Sequence, residues 1–410
     1  MKTEQLKLLT DIQTGPFGSQ LHKEDYVEVG SPIVTVEHLG NRVFTEQNLP
    51  MVSAEDKERL SKYVLKEGDI VFSRVGSVDR CSYVDAAHDG WMFSGRCLRV
   101  RPHEQLDALY LYYYFCLEET KRYVRNIAVG ATMPSINTKL LGEVPITYPD
   151  IDTQRKIAQV LAAIDDRIEN NSKINDNLQQ QLSAIFREWF IDSPYFAEWP
   201  RGTFADLIDH TISGDWGKDV PTGNYTEMVY CIRGADIPEV KAGNKGKMPT
   251  RFILPKNYAA KKLVDGDIVV EISGGSPTQS TGRAAPVSES LLGRYDRGMV
   301  CTNFCKAIKP KQGYSMFVYH YWQHLYDAGV FFGYENGTTG IKNLDINGFI
   351  ETEEIVIPPI EIVGRFDSIC QAIANKVYAN GLENERLANL RDTLLPKLMS
   401  GNIDVASVEI

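Results

Sequence analysis

No run of apolar residues in this 410-residue sequence approaches the ~18 that a membrane-crossing helix needs, which excludes a helical membrane protein. The opening stretch, residues 1–11, lacks the apolar core of an export signal, so a cytoplasmic protein is expected. Cysteine is scarce. There are seven, an odd number with no CxxC pair, which excludes a disulfide framework and suits a reducing compartment. Positive charge is also short: 44 Lys and Arg against 54 Asp and Glu give a net charge of -10. A chain that coats nucleic acid indiscriminately would instead be basic.

Catalytic signatures are missing too. A P-loop needs GxxxxGK followed by Ser or Thr, but Gly217-Lys218 precedes Asp219 and Gly246-Lys247 precedes Met248. No Gly-rich cofactor loop stands beside an Asn/Asp-Pro-Pro-aromatic tetrapeptide, so a self-contained methylating enzyme is not expected and no cofactor is implied. Pro149-Asp150 begins a nuclease-like motif that no acid-x-Lys completes, and a strand-to-helix junction is expected there. The 43% hydrophobic and 24% charged shares are those of an ordinary globular chain, here of two or three domains.

What is present is a duplication. LKEGDIV at 65–71 returns as LVDGDIV at 263–269, and IVTVEHL at 33–39 faces CIRGADI at 231–237, both at an offset of 198. Val100-Arg101-Pro102 matches Ile308-Lys309-Pro310 at 208, Gly130-Ala131-Thr132 pairs with Gly337-Thr338-Thr339 at 207, and 148–152 pairs with 357–361 at 209. The offset shifts only between blocks, so one unit of about two hundred residues occurs twice.

Each copy begins with short apolar or alternating runs broken by Gly, Pro, Asn and Asp, which read as strands and loops. A long helical pattern follows. In the first copy Ile157, Leu161, Ile164, Ile168, then Asn175, Leu178, Leu182, Ile185 and Trp189 step by the three-and-four spacing of a coiled-coil seam, and in the second Phe366, Ile369, Ile373, Val377, then Leu387, Leu390, Leu394 and Leu398 do so. Gly381 interrupts the second pattern at a cost of about 1 kcal/mol. Neither narrow stripe buries itself alone, so the helices are expected to pack on each other, antiparallel. The expected fold is α+β: two mixed α/β globular domains, separated by two long antiparallel helices that form a coiled coil, with an internal pseudo-twofold repeat. The expected boundaries are 1–150 and 193–358 for the globular domains, 151–192 for the central helix, and 359–410 for the C-terminal helix and tail.

Cys301, Cys305, His320 and His324 are spaced C-x3-C-x14-H-x3-H, close to a zinc finger. The equivalent positions of the first copy are Phe93, Cys97, Tyr112 and Cys116. Core packing, and no metal, is the expectation.

The ordered set GDIVFSR at 68–74, GATMPSIN at 130–137, VPITYPDIDTQRKIAQVLAAIDDRI at 144–168 and FREWF at 186–190 resembles the specificity subunit of type I restriction-modification systems. Its second half does so again with GDIVVE at 266–271, GTTGIKNL at 337–344, IPPIE at 357–361 and LLPKLMSGNIDV at 394–405. The resemblance covers essentially the whole chain. It implies a non-catalytic subunit in which each globular domain is a target-recognition domain reading one half of a split sequence in double-stranded DNA. It implies that the helices set the gap between the halves and dock two methyltransferase subunits, with restriction subunits joining through those.

Phosphate contacts need Lys, Arg and small hydroxyl residues on loops, while base reading favours Arg or Lys for guanine and Asn or Gln for adenine. In the first unit the candidates are Ser73, Arg74, Ser77 and Arg80 after the GDIV run, then Arg96, and then Thr132, Asn137 and Lys139. In the second they are Ser273, Gln279 and Arg283 in a longer loop, Lys342 and Asn343 in the GTTGIKNL loop, and Lys241, Lys245, Lys247 and Arg251 within 241–262, a stretch of seven bases and no acid. Every expected domain and helix is nevertheless net acidic, so the chain alone is expected to bind DNA weakly, with partners supplying much of the positive charge.

Overall fold

The computed structural model of the chain describes residues 1–18, 20–276, 278–337 and 341–405. Two compact units are present, Met1–Asp166 with the segment from Ala388, and Arg167–Leu387. The divisions therefore fall inside the two long helices and not at their ends, because the two ends of each helix pack into different cores.

Both units follow one plan. The first has an antiparallel sheet in the order Thr10–Thr14, Cys97–Pro102, Ile70–Ser73, Cys81–Tyr83; the second has Ile208–Ser213, Cys305–Pro310, Ile268–Glu271, Ala284–Pro286 in the same order. A second sheet contains a parallel pair in each, Ser31–Val34 with Met92–Phe93 and Glu227–Ile232 with Met299–Cys301. A short antiparallel pair ends each unit, Lys2–Gln5 with Pro145–Tyr148 and Arg201–Thr203 with Glu354–Val356. The repeat in sequence is thus a repeat of topology.

The recurring Gly-Asp-Ile-Val run has a physical reason at each position. Gly68 and Gly266 turn the chain with φ of +88° and +86°, a region that penalises a Cβ. Asp69 and Asp267 close the same turn by accepting from the backbone N–H of Lys66 at 2.8 Å and of Val264 at 2.7 Å. Both carboxylates are buried and would be costly unpaired, and each meets a cation from the neighbouring strand, Arg101 at 2.6 Å or Lys309. Arg101 and Lys309 are themselves 208 residues apart. Ile70, Val71, Ile268 and Val269 then run fully buried on both faces of their sheet, as a central strand requires.

The first long helix spans Ile151–Phe186 and the second Ile360–Met399. Asp150 caps the first: its carboxylate accepts from the Thr153 N–H at 3.0 Å and hydroxyl at 2.8 Å, and these bonds lower its pKa. The strand-to-helix junction expected at Pro149-Asp150 is present, with Asp150 as the helix cap. Within unit 1, Ile157 and Leu161 share a core with Leu395 and Leu398; within unit 2, Leu182 and Phe186 share one with Phe366 and Cys370. Numbers rise along one helix as they fall along the other, so the pairing is antiparallel.

The expected seam is partly wrong. Ile164, Ile168, Leu178, Ile185, Ile369, Ile373, Leu387 and Leu394 are half-buried, with Ile185, Ile369, Ile373 and Leu394 packed against the core of their unit, while Leu390 is exposed. Several of the fully covered positions between the ends are polar. In unit 2, Asn171 donates to Asn384 at 2.9 Å, Asn380 donates to Asn175 at 2.8 Å, and Asn175 donates to the carbonyls of Val377 and Ala242, both at 3.1 Å. In unit 1, Asp165 accepts from Tyr113 and Arg391, both at 2.7 Å. The sequence spacing includes Asn175 but passes over Asn171, Asn380 and Asn384, which an apolar count reads as surface. Gly381 does not break its helix either. Its missing side chain admits the backbone of Gly243, whose carbonyl oxygen a Cβ there would overlap.

Candidate nucleic-acid interface

In unit 1 backbone hydrogen bonds draw four loops to one surface. Arg74 donates to the Arg96 carbonyl at 2.8 Å, Ile136 to the Arg74 carbonyl at 2.9 Å, and Gly76 to Pro134 at 2.8 Å. The fourth loop, Gly15-Pro16-Phe17-Gly18, is pinned by Gly15 donating to Cys97 at 3.2 Å, and a Cβ on Gly15 would strike the Ser94 carbonyl.

Unit 2 repeats the weave. Ile272 donates to the Phe304 carbonyl and Leu344 to Ile272, both at 2.9 Å, and Asp215 donates to Cys301 at 2.8 Å. Gly214 sits against the Thr302 carbonyl as Gly15 does against Ser94. Pro277 and residues 338–340 of the quoted loops lie outside the described residues.

Of the expected contact residues in unit 1, Ser77, Arg80, Arg96, Thr132 and Asn137 are exposed on these loops, and Lys139 is exposed on the short helix that follows. Asn137 also caps the helix Thr138–Gly142, its carboxamide oxygen accepting from Leu140 at 2.9 Å. Arg80 bonds the Leu39 carbonyl. Arg74 lies over the Phe17 ring, 5.7 Å from its centroid, and donates to Gly95 at 3.0 Å. Ser73 is buried and donates to Val75 at 2.7 Å, so it belongs to the turn and not to the surface.

In unit 2, Gln279, Lys247 and Asn343 are exposed, while Ser273 and Lys245 are half-buried, Lys245 lying 4.9 Å from the Tyr295 ring centroid. Four expected contacts turn inward. Arg283 makes a two-pronged pair with buried Glu271 at 2.8 and 2.7 Å, and Lys342 pairs with Glu335 at 2.7 Å. Arg251 is buried against Asp219 and stacks 4.0 Å from the Trp216 centroid. Lys241 donates to Gln323 at 2.6 Å in a cavity of about 500 Å³, where burial lowers its pKa. The basic stretch 241–262 is therefore not one face. It crosses a turn, the strand Thr250–Ile253 and the helix Pro255–Lys261, so successive cations point in different directions.

The loops also present residues outside the expected set. Phe17 is 55% exposed, Trp216 37% and Phe304 58%. Phe304 stands where unit 1 has Arg96. A cleft of about 540 Å³ opens beside Phe17, lined also by Tyr26, Thr35, Glu37, Ser94 and Arg96. The pattern Gly-x-aromatic-Gly, at 15–18 and again at 214–217, is the sequence signal that finds the first two.

The cysteine and histidine set divides between two cores. Cys301 and Cys305 pack with Ile232 and Val269, while the His320 and His324 rings lie against Phe186 of the first long helix. The His320 ring is buried, and desolvation together with the charge of Lys241 lowers its pKa to about 3.

Comparison with known proteins gives a consistent result. Residues 2–180 match the family described as the type I restriction modification DNA specificity domain. The MjaIX type I restriction enzyme specificity subunit of Methanocaldococcus jannaschii is 29% identical over 322 residues, covering 74% of this chain and 71% of that one. The HindI specificity subunit of Haemophilus influenzae is 24% identical over 418 residues, covering 86% and 90%. A crystal structure of a type I restriction-modification S subunit from M. genitalium shares the fold at a TM-score of 0.56 and 16% identity, covering 97% of this chain and 95% of that one.

Proposed function

We propose that the chain is a specificity subunit of a type I restriction-modification system, as its similarity to that family supports, and that its two units divide the recognition of DNA. Each unit reads one half of a bipartite target in double-stranded DNA through its convergent loops. The observation that carries this reading is that the two loop clusters share one backbone weave but differ in the side chains they display, with Arg96 in one and Phe304 at the same place in the other. A common frame with different chemistry fits two readers of two different sequences.

The two long helices act as the spacer that fixes the gap between half-sites and as the dock for two methyltransferase subunits, through which restriction subunits join. The chain itself performs no chemistry in this reading and works in the cytoplasm, in keeping with seven free cysteines. Among the described residues no helix is long and apolar enough to cross a membrane. The test is selection from a randomised duplex library, by the chain alone and with its co-purified methyltransferase. Enrichment of two short motifs at a fixed separation is expected; a single uninterrupted motif, or none, would overturn the proposal.

A further inference from the structure

Phe17 and Trp216 are held out of the protein in the same way. Each lies between two glycines in a loop pinned to a neighbouring strand end, where a Cβ on Gly15 or Gly214 would strike a carbonyl. A guanidinium covers one face of each ring, Arg74 over Phe17 at 5.7 Å and Arg251 over Trp216 at 4.0 Å.

The two arginines are not equivalent in the repeat. The residue matching Arg74 is Ile272, whereas Arg251 comes from the strand Thr250–Ile253. The same aromatic–guanidinium pair is thus built twice from different positions, while the side chain at the Arg96 and Phe304 position differs. Each guanidinium is also fixed on its other side, Arg74 to the Gly95 carbonyl and Arg251 to the Trp216 carbonyl and Asp219. The cations therefore orient the rings, and Phe17 stays 55% and Trp216 37% exposed.

A rigid, exposed aromatic common to both readers suits a contact that does not depend on sequence. Apolar side chains that enter between base steps partly unstack them and bend the duplex, and stacking tolerates every base because every base has a π-face. We propose that Phe17 and Trp216 are a matched pair of wedges, one entering the duplex at each half-site and bending it, while the neighbouring loop residues read the bases. The proposal rests on the bipartite reading above.

It is tested with the chain in complex with its co-purified methyltransferase and a duplex carrying the motif that the wild-type complex enriches. Affinity and bend, the latter by energy transfer between dyes on the duplex ends, are measured at one salt concentration. Phe17→Ala and Trp216→Ala are expected each to weaken binding about tenfold and to relax part of the bend, with the enriched motif unchanged. Phe17→Leu and Trp216→Phe keep an apolar wedge and are expected to retain most of both, which separates loss of the ring from loss of the fold. An unchanged bend, with or without weaker binding, overturns the wedge, and so does a changed motif. Absence of any enriched motif with the wild-type complex sinks the bipartite reading and this proposal with it.

Discussion

Arg96 and Phe304 occupy one place in two readers, a five-donor guanidinium in one and a phenyl ring in the other. Because a good bidentate contact to a base discriminates by roughly 1–3 kcal/mol, Arg96→Ala is expected to relax base preference at one position of one half-site and leave the other half as it was. Motif enrichment with the variant reads this directly, and a loss spread evenly over both halves would mark Arg96 as a phosphate contact. Residue type and loop position in the sequence foretell that Arg96 and Ser77 stand exposed. They could not reveal that Arg283, Lys342 and Arg251 are engaged with Glu271, Glu335 and Asp219, since those pairings join segments that only the fold brings together. His320 yields a separate expectation. An unfolded histidine titrates near 6.5, and folded His320 resists protonation to about pH 3. Between these values the unfolded chain binds the extra proton, so the contribution is complete above about pH 6.5 and declines as pH falls. Relative to His320→Phe, the wild-type chain is expected to lose about 2 kcal/mol of stability between pH 7 and pH 5, measured by unfolding at each pH. A difference independent of pH would contradict a buried neutral ring.

At the scale of elements, the long helices and the duplicated strands were readable because periodicity and turn residues are local signals. The seam was legible only in part: periodicity picks out Asn175, but its buried partners Asn171, Asn380 and Asn384 are polar and read as surface. Gly381 shows two rules in conflict. Helix propensity alone makes Gly381→Ala stabilising by about 1 kcal/mol. The overlap with the Gly243 carbonyl opposes this, and backbone cannot swing aside as a side chain can. The clash is expected to win, with a net loss of about 1–3 kcal/mol, seen as a lower thermal midpoint. Asn175 and Asn380 give the complementary case. Buried amides in a helical seam lower stability and fix register, so replacing both with Leu is expected to raise the midpoint while broadening the set of helix alignments, detectable by cross-linking across the pair. Inserting seven residues at matched points of both helices is expected to change the gap in the enriched motif and neither half-site.

For the molecule as a whole, net charge sets the terms on which it meets DNA. With -10 overall, this chain is expected to neutralise few phosphates, and the slope of log affinity against log salt scales with that number. The chain alone is expected to show a shallow slope between 50 and 200 mM salt and its methyltransferase complex a much steeper one; equal slopes would place the phosphate contacts here. The loops that follow the Gly-Asp turns carry a different consequence. Ser73 N–H to Arg80 C=O closes one at 2.9 Å and Glu271 N–H to Arg283 C=O closes the other at 2.9 Å, although the first encloses six residues and the second eleven. Closing the longer loop costs only about 0.5 kcal/mol more. A tract whose two ends meet in the same clasp can be lengthened, or exchanged between genes by recombination, with almost no penalty to the fold around it. In this chain the two copies differ in length inside the clasp while the strands around it keep one plan.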